Sequence, residues 1–249
     1  MAIATARPRL RLRSDDLFFS GMAVVALVAV FFGFARTYFL AGMLWAPLPN
    51  HLVHIHGAAF TLWIVLFITQ ISLVSARRVD LHQRLGRVAF GLAALMLVLG
   101  VLTASDQLAR HVANPGTDTI EEVRAFYAVP LGAILLFSIF VYLGYRNRSH
   151  PATHKRLMLF ATLSLLDAAF DRWPVFDPYP LPLVHVITFT PLALLIIGYD
   201  WWSTGKVQRV TLWSVASIIA VQQGRLLIGH TAAWQTFAQW VQMHTPAFS

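Results

Sequence analysis

Residues 52–76, LVHIHGAAFTLWIVLFITQISLVSA, and the basic segment directly after them, RRVDLHQRLGR at 77–87, decide the fold. The first stretch has 25 residues and contains no Asp, Glu, Lys or Arg. A helix needs about 20 such residues to cross a hydrocarbon core about 30 Å thick. A membrane strand needs only about 9–11 and alternates in polarity. The stretch therefore reads as a membrane helix that ends in a cluster of arginines.

The pattern repeats along the chain. Apolar runs occupy Leu17–Leu40, Leu52–Ala76, Val88–Leu108, Phe126–Tyr145, Leu157–Trp173, Leu183–Trp202 and Val210–Thr231. Of the 249 residues, 57% are hydrophobic and 12% charged, and the mean hydropathy is +0.64. A soluble domain carries about 25% charged residues, so half that fraction does not cover a water-facing surface of this size. The runs predict an all-α polytopic membrane bundle of seven transmembrane helices, one domain over residues 1–249. A basic arm at 1–16 precedes it. A tail at 232–249, with Trp234, Phe237, Trp240 and Val241 on one helical stripe, is expected to lie in the membrane interface. The chain has no cysteine, which excludes disulfides, thiolate metal sites, iron–sulfur clusters and thioether-attached haem.

The net charge of +8 reads as topology. Arg7, Arg9, Arg11 and Arg13 precede the first run; Arg77, Arg78, Arg84 and Arg87 lie between the second and third. Arg146, Arg148, Lys155 and Arg156 lie between the fourth and fifth, and Lys206 and Arg209 between the sixth and seventh. The alternate connections hold Arg36, Arg110, Arg124 and Arg172 among a larger number of acidic residues. Positive-inside asymmetry then predicts a cytoplasmic N-terminus, an external C-terminus and a multi-pass place in a bacterial inner (plasma) membrane. The expected partner is the lipid bilayer, and no nucleic acid, since the basic residues sit between apolar runs rather than on one folded face.

Ionisable residues inside a bundle mark candidate sites, because an unpaired one costs several kcal/mol in hydrocarbon. The second run opens with His51, His54 and His56; the sixth carries His185; the seventh carries Arg225 and, at its outer end, His230. The fifth carries Ser164, Asp167 and Asp171 as a polar stripe. All fall at comparable depth in the outer half. Imidazole is a common metal ligand and an axial ligand of haem iron. His54 and His185 on different helices meet the requirement for haem b, with Arg225 available to a propionate. A set of His54, His56, His185, His230, Asp167 and Asp171 would instead suit zinc, iron or copper, and with an open position on zinc would allow hydrolysis. An ion pair of Asp167 with Arg225 that only locks helices together is a third reading. On the cytoplasmic side, Leu81-His-Gln-Arg-Leu-Gly86 and Thr153-His-Lys-Arg-Leu-Met158 share His-x-Arg-Leu at a helix start. This echo points to two related hairpins; beside the arginines, His82 and His154 read first as anchors to lipid phosphates and second as a subsidiary haem or metal site. Asp200 is expected to pair with a loop arginine.

Three stretches, His54-Ile-His-Gly-Ala-Ala-Phe-Thr-Leu-Trp63, Leu81-His-Gln-Arg-Leu-Gly-Arg87 and His154-Lys-Arg-Leu-Met-Leu-Phe-Ala161, carry a resemblance. Together they resemble uncharacterised bacterial histidine-rich polytopic membrane proteins, which in turn are similar to cytochrome-oxidase-assembly proteins and transmembrane b-type cytochromes. The likeness covers about half of the chain. It implies His54, His82 and His154 as haem positions, and electron transfer or respiratory-complex assembly with quinone or respiratory subunits as partners. A metal-dependent membrane hydrolase and a non-enzymatic structural subunit are the other two expectations.

Overall fold

A computed structural model describes residues 7–43 and 50–245. Among these, six helices are long and apolar enough to cross a membrane. They form α1 (Arg7–Phe34, prolonged by a π-helical turn at Ala35–Phe39), α2 (His51–Ser75), α3 (Val79–Ala113), the pair α4 (Ile120–Phe126) and α5 (Ala128–Arg146), α8 (Leu181–Thr204) and α9 (Arg209–Gly229). Val98, Phe32, Leu194 and Leu195 are exposed on the outside of the bundle, while Phe137, Phe160, Met96 and Ile196 are buried within it. Apolar side chains on both the inside and the outside are what a lipid-embedded bundle requires. The chain is thus a multi-pass helical membrane protein.

The fifth apolar run does not form one helix. It folds as α6 (Pro151–Leu163), a turn at 164–166 and the short α7 (Asp167–Phe170). The Ser164 hydroxyl donates back to the Ala161 carbonyl at 2.8 Å, and the Leu165 and Leu166 N–H groups bond three residues back. Such local bonds compete with the helical ladder. Irregular backbone at membrane depth is tolerated where protein surrounds it, and Ser164, Leu166, Asp167 and Ala169 are all buried.

The broken segment nevertheless runs alongside α1. At one end Lys155 pairs with Asp15 at 2.7 Å. At the other, the backbone of Ala169 lies so close to Gly33 that a Cβ there would overlap it. Asp15 and Gly33 are 18 residues apart on α1, about 27 Å at 1.5 Å per residue. The run after Tyr127 restarts similarly. Pro130 cannot donate to the Phe126 carbonyl, and α4 ends there before α5 begins.

The two hairpins expected from the echo are present: α2 packs chiefly on α3, α5 on α6, and α3 joins them by packing on α5. The end carrying Arg77, Arg146 and Lys206 is called the basic end below. At the far end, α10 (Ala232–His244) packs on α4, α3 and α9. The tail is helical as read, but Ala238 and Val241 form its buried side and Trp240 is exposed. Trp234 donates through Nε1 to the Arg124 carbonyl at 2.9 Å, and Arg124 donates to Gln242. Residues 1–6 of the arm and 246–249 of the tail lie outside the described residues.

Candidate functional site

Two polar clusters sit at opposite ends of the bundle. At the basic end, His82 near the start of α3 and His154 near the start of α6 bring their rings together, with centroids 6.3 Å apart and planes at 86°. Each ring is held by the preceding helix of its own hairpin. His154 Nδ1 stands 2.8 Å from the Gly144 carbonyl on α5. A carbonyl only accepts, so Nδ1 carries the proton and Nε2 of the neutral ring keeps its lone pair. For His82 the partner is the Gln70 side-chain amide on α2, 2.5 Å from Nδ1. That amide turns its NH2 group to the ring and donates to Nδ1, while its oxygen accepts from the Gly86 N–H at 2.8 Å, so the neutral His82 ring carries its proton on Nε2, the opposite tautomer to His154. Between α3 and α5 opens a groove of about 500 Å³ lined by Arg87, Phe90, Gly91, Tyr142 and Tyr145.

Beside this pair lies a buried ion pair. Arg156 donates through Nε to Asp200 at 2.9 Å and also through Nη2. The same carboxylate accepts from the Thr211 hydroxyl at 2.5 Å and the Gln208 N–H at 3.1 Å. Asp200 thus pairs with an arginine, as expected, but Arg156 is a buried helix residue rather than a loop residue. It leaves the set of basic residues that topology alone accounts for.

The far-end cluster is centred on Arg225. Its Nη2 donates to Asp167 at 2.7 Å and its Nη1 to the Val129 carbonyl at 3.0 Å. Gln222 donates to both Asp167 oxygens at 2.9 and 3.0 Å. The expected ion pair of Asp167 with Arg225 is therefore present. His185, fully buried, has both ring nitrogens 3.3 Å from Arg225 Nη2, and its Nε2 stands 3.4 Å from each Asp171 oxygen. Three elements, α5, α7 and α8, are thus tied to α9 by one guanidinium. Residues 211, 214, 222 and 225 put polar side chains on the buried face of α9.

The remaining expected ligands are not assembled here. His54 is exposed beside Tyr38 on α2, which packs on α3 and α1, whereas His185 is on α8, which packs on α9, α7 and α1. His56 stacks on Phe60 at 4.0 Å, and His230 is exposed next to Glu121. Hence His54 and His185 do not face each other as a haem ligand pair, and Arg225 is already occupied by Asp167, His185 and a carbonyl. His54, His56, His185, His230, Asp167 and Asp171 do not converge as one metal set. Where His185, Asp167 and Asp171 do meet, the Arg225 guanidinium occupies the place that a cation would take. Among the described residues no group of three or more histidines or carboxylates is placed to hold a metal ion. The hydrolase set of His54, His185 and His230 is likewise dispersed.

Sequence reasoning missed Gln70, Gly144 and Gln222. Gln70 stands out as a polar residue within residues 52–76, and Gln222 sits three positions before Arg225, so both carried a legible signal. Gly144 acts through its backbone and carried none.

No family model, curated protein or solved structure matches this chain. The likeness to histidine-rich membrane proteins accordingly stands on its three quoted stretches alone.

Proposed function

We propose that this chain is a bacterial inner-membrane protein that binds haem b through His82 and His154 and serves electron transfer or respiratory-complex assembly. One observation carries the reading: two histidines from sequence-related hairpins meet across the bundle with their Nδ1 atoms held by the preceding helices. A ligating histidine characteristically donates its other ring N–H to a carbonyl or similar acceptor, as His154 does to Gly144, whereas His82, whose Nδ1 accepts from Gln70, would have to give up its Nε2 proton before it could ligate through that atom. His82 and His154, one from each hairpin with ring centroids 6.3 Å apart, would be the residues that hold the haem.

The size of the donor set favours haem over bare zinc, iron or copper. A bare zinc ion takes three or four protein ligands, whereas a porphyrin supplies its own four nitrogens and needs only the axial pair. Haem bound there would supply one-electron redox chemistry. Gln70 and Gly144 would orient the two rings, and Arg87 in the adjacent groove would offer a cation to an anionic edge. Respiratory-complex subunits or quinone would then be the natural electron partners.

The reading includes seven crossings with the N-terminus in the cytoplasm. The α6–α7 segment, matched to α1 from Asp15 to Gly33, would complete the seventh, and the arginine-rich basic end would face the cytoplasm. Reporters that act only on one side of the membrane, fused at residue 1 or residue 249, are expected to place the termini on opposite sides. Termini on the same side would contradict seven crossings.

The functional test uses the full chain purified after growth with haem supply. His82→Ala and His154→Ala are each expected to abolish bound haem while the protein stays folded, and His54→Ala and His185→Ala to retain it. Retention in the first two, or a folded wild-type protein with no haem, overturns the proposal.

A further inference from the structure

The groove between α3 and α5 lies beside the His82–His154 pair and has a chemistry of its own. Arg87, Phe90 and Gly91 share one face of α3 at i, i+3 and i+4, and Tyr142 and Tyr145 share one face of α5 at i and i+3. The two faces meet where Phe90 and Tyr145 pack edge-to-face, with ring centroids 4.8 Å apart. The volume of about 500 Å³ lies within the roughly 300–1,000 Å³ of ligand sites. A Cβ added at Gly91 would meet nothing within 4 Å, so the glycine leaves the groove open.

The groove is cationic at its mouth and apolar below. α3 enters the bundle from the basic end, so Gly91 lies one turn, about 6 Å, deeper than Arg87. Arg148 adds a second guanidinium, 4.4 Å over the Tyr145 ring and donating to the Tyr145 carbonyl at 3.1 Å. No acidic residue lines the groove. Asp80, in the first turn of α3, is turned to Arg78 at 3.8 Å. Among the described residues the Arg87 side chain makes no ion pair or hydrogen bond. The groove opens on the outside of the bundle, where Tyr142 is 60% exposed and the neighbouring Val88 and Leu143 are exposed too.

We infer that this groove binds one anionic phospholipid, its phosphate on Arg87 and an acyl chain along Phe90, Gly91 and Tyr142. A guanidinium matches phosphate with two parallel hydrogen bonds, and basic pockets between membrane helices take such headgroups. A free phosphate ion would leave the apolar part unfilled. A zwitterionic lipid would bring its own cation against Arg87 and Arg148. An anionic lipid satisfies both parts. The five donors of Arg87 exceed what one anionic edge of a haem would use, and lipid binding does not rest on haem.

The test is native mass spectrometry of the full chain released from nanodiscs of equimolar phosphatidylglycerol and phosphatidylcholine. One phosphatidylglycerol per chain is expected to stay bound. Arg87→Gln is expected to weaken that retention about tenfold, the scale of a hydrogen bond to a charged group. Gly91→Leu keeps Arg87 but fills the groove, and is expected to lose the lipid as well. Arg209→Gln, an exposed arginine on α9 at the same end, is expected to keep it. Wild-type chain grown without haem supply is expected to give the same count, so this inference and the haem reading fail separately. Equal retention of the two lipids by wild type overturns the inference. So does wild-type retention in Gly91→Leu, or a loss in Arg209→Gln as large as in Arg87→Gln.

Discussion

Replacing Arg225 with alanine is expected to destabilise the protein by about 3–5 kcal/mol, the cost of leaving one partner of a buried ion pair uncompensated. Both side chains are almost wholly enclosed, at 3% and 7% exposure for Arg225 and Asp167. Loss of the guanidinium strands the Asp167 carboxylate with Gln222 alone, and removes the donors to the Val129 carbonyl and His185. Denaturant titration in detergent, read by circular dichroism, measures the effect. The double variant Arg225→Met with Asp167→Leu is expected to recover most of the loss, because an apolar replacement of a whole buried pair is often near neutral. A loss below about 1 kcal/mol for Arg225→Ala, the scale of a solvated surface pair, would show that the cluster is wet and not a lock.

A comparable loss, about 3–5 kcal/mol, is expected for Asp200→Ala at the basic end. Asp200 is the shared acceptor for Arg156, the Thr211 hydroxyl and the Gln208 N–H, so its removal leaves a buried cation and two donors without their partner. It ties α6, α8 and the start of α9 together. Asp200→Asn keeps the shape and one acceptor oxygen, and is expected to fall between alanine and wild type. Thr211 and Gln222, which touch the two clusters from α9, are 11 residues apart, about 16 Å along the helix. The Asp200→Ala and Arg225→Ala losses should therefore add to within about 0.5 kcal/mol. The same titration checks all three variants, and strong non-additivity would mean that α9 transmits strain between the clusters.

The helical membrane class was legible because it depends on run length, and run length survives folding. The broken fifth run was not. Its composition matches a continuous helix, and what interrupts it is a local bond from Ser164 together with the pull of Arg225 and Gln222 on Asp167, neither of which periodicity reports. The ion pair of Asp167 with Arg225 was legible for a simple reason: two opposite charges at one depth in hydrocarbon have few other partners. Depth also misled. It placed His54 and His185 at the same level, but rotation about each helix axis sends His54 to the exposed side and His185 to the interior. The echo placed His82 and His154 at equivalent depth too, and there the packing of the two hairpins through α3 and α5 does bring the rings together.

The account rests on the His82–His154 pair, and the most direct test is the reduced-minus-oxidised visible spectrum of the purified wild-type chain. A sharp b-type band on dithionite reduction, lost in His154→Ala, is the predicted result. A folded, haem-supplied protein with a featureless spectrum would contradict it.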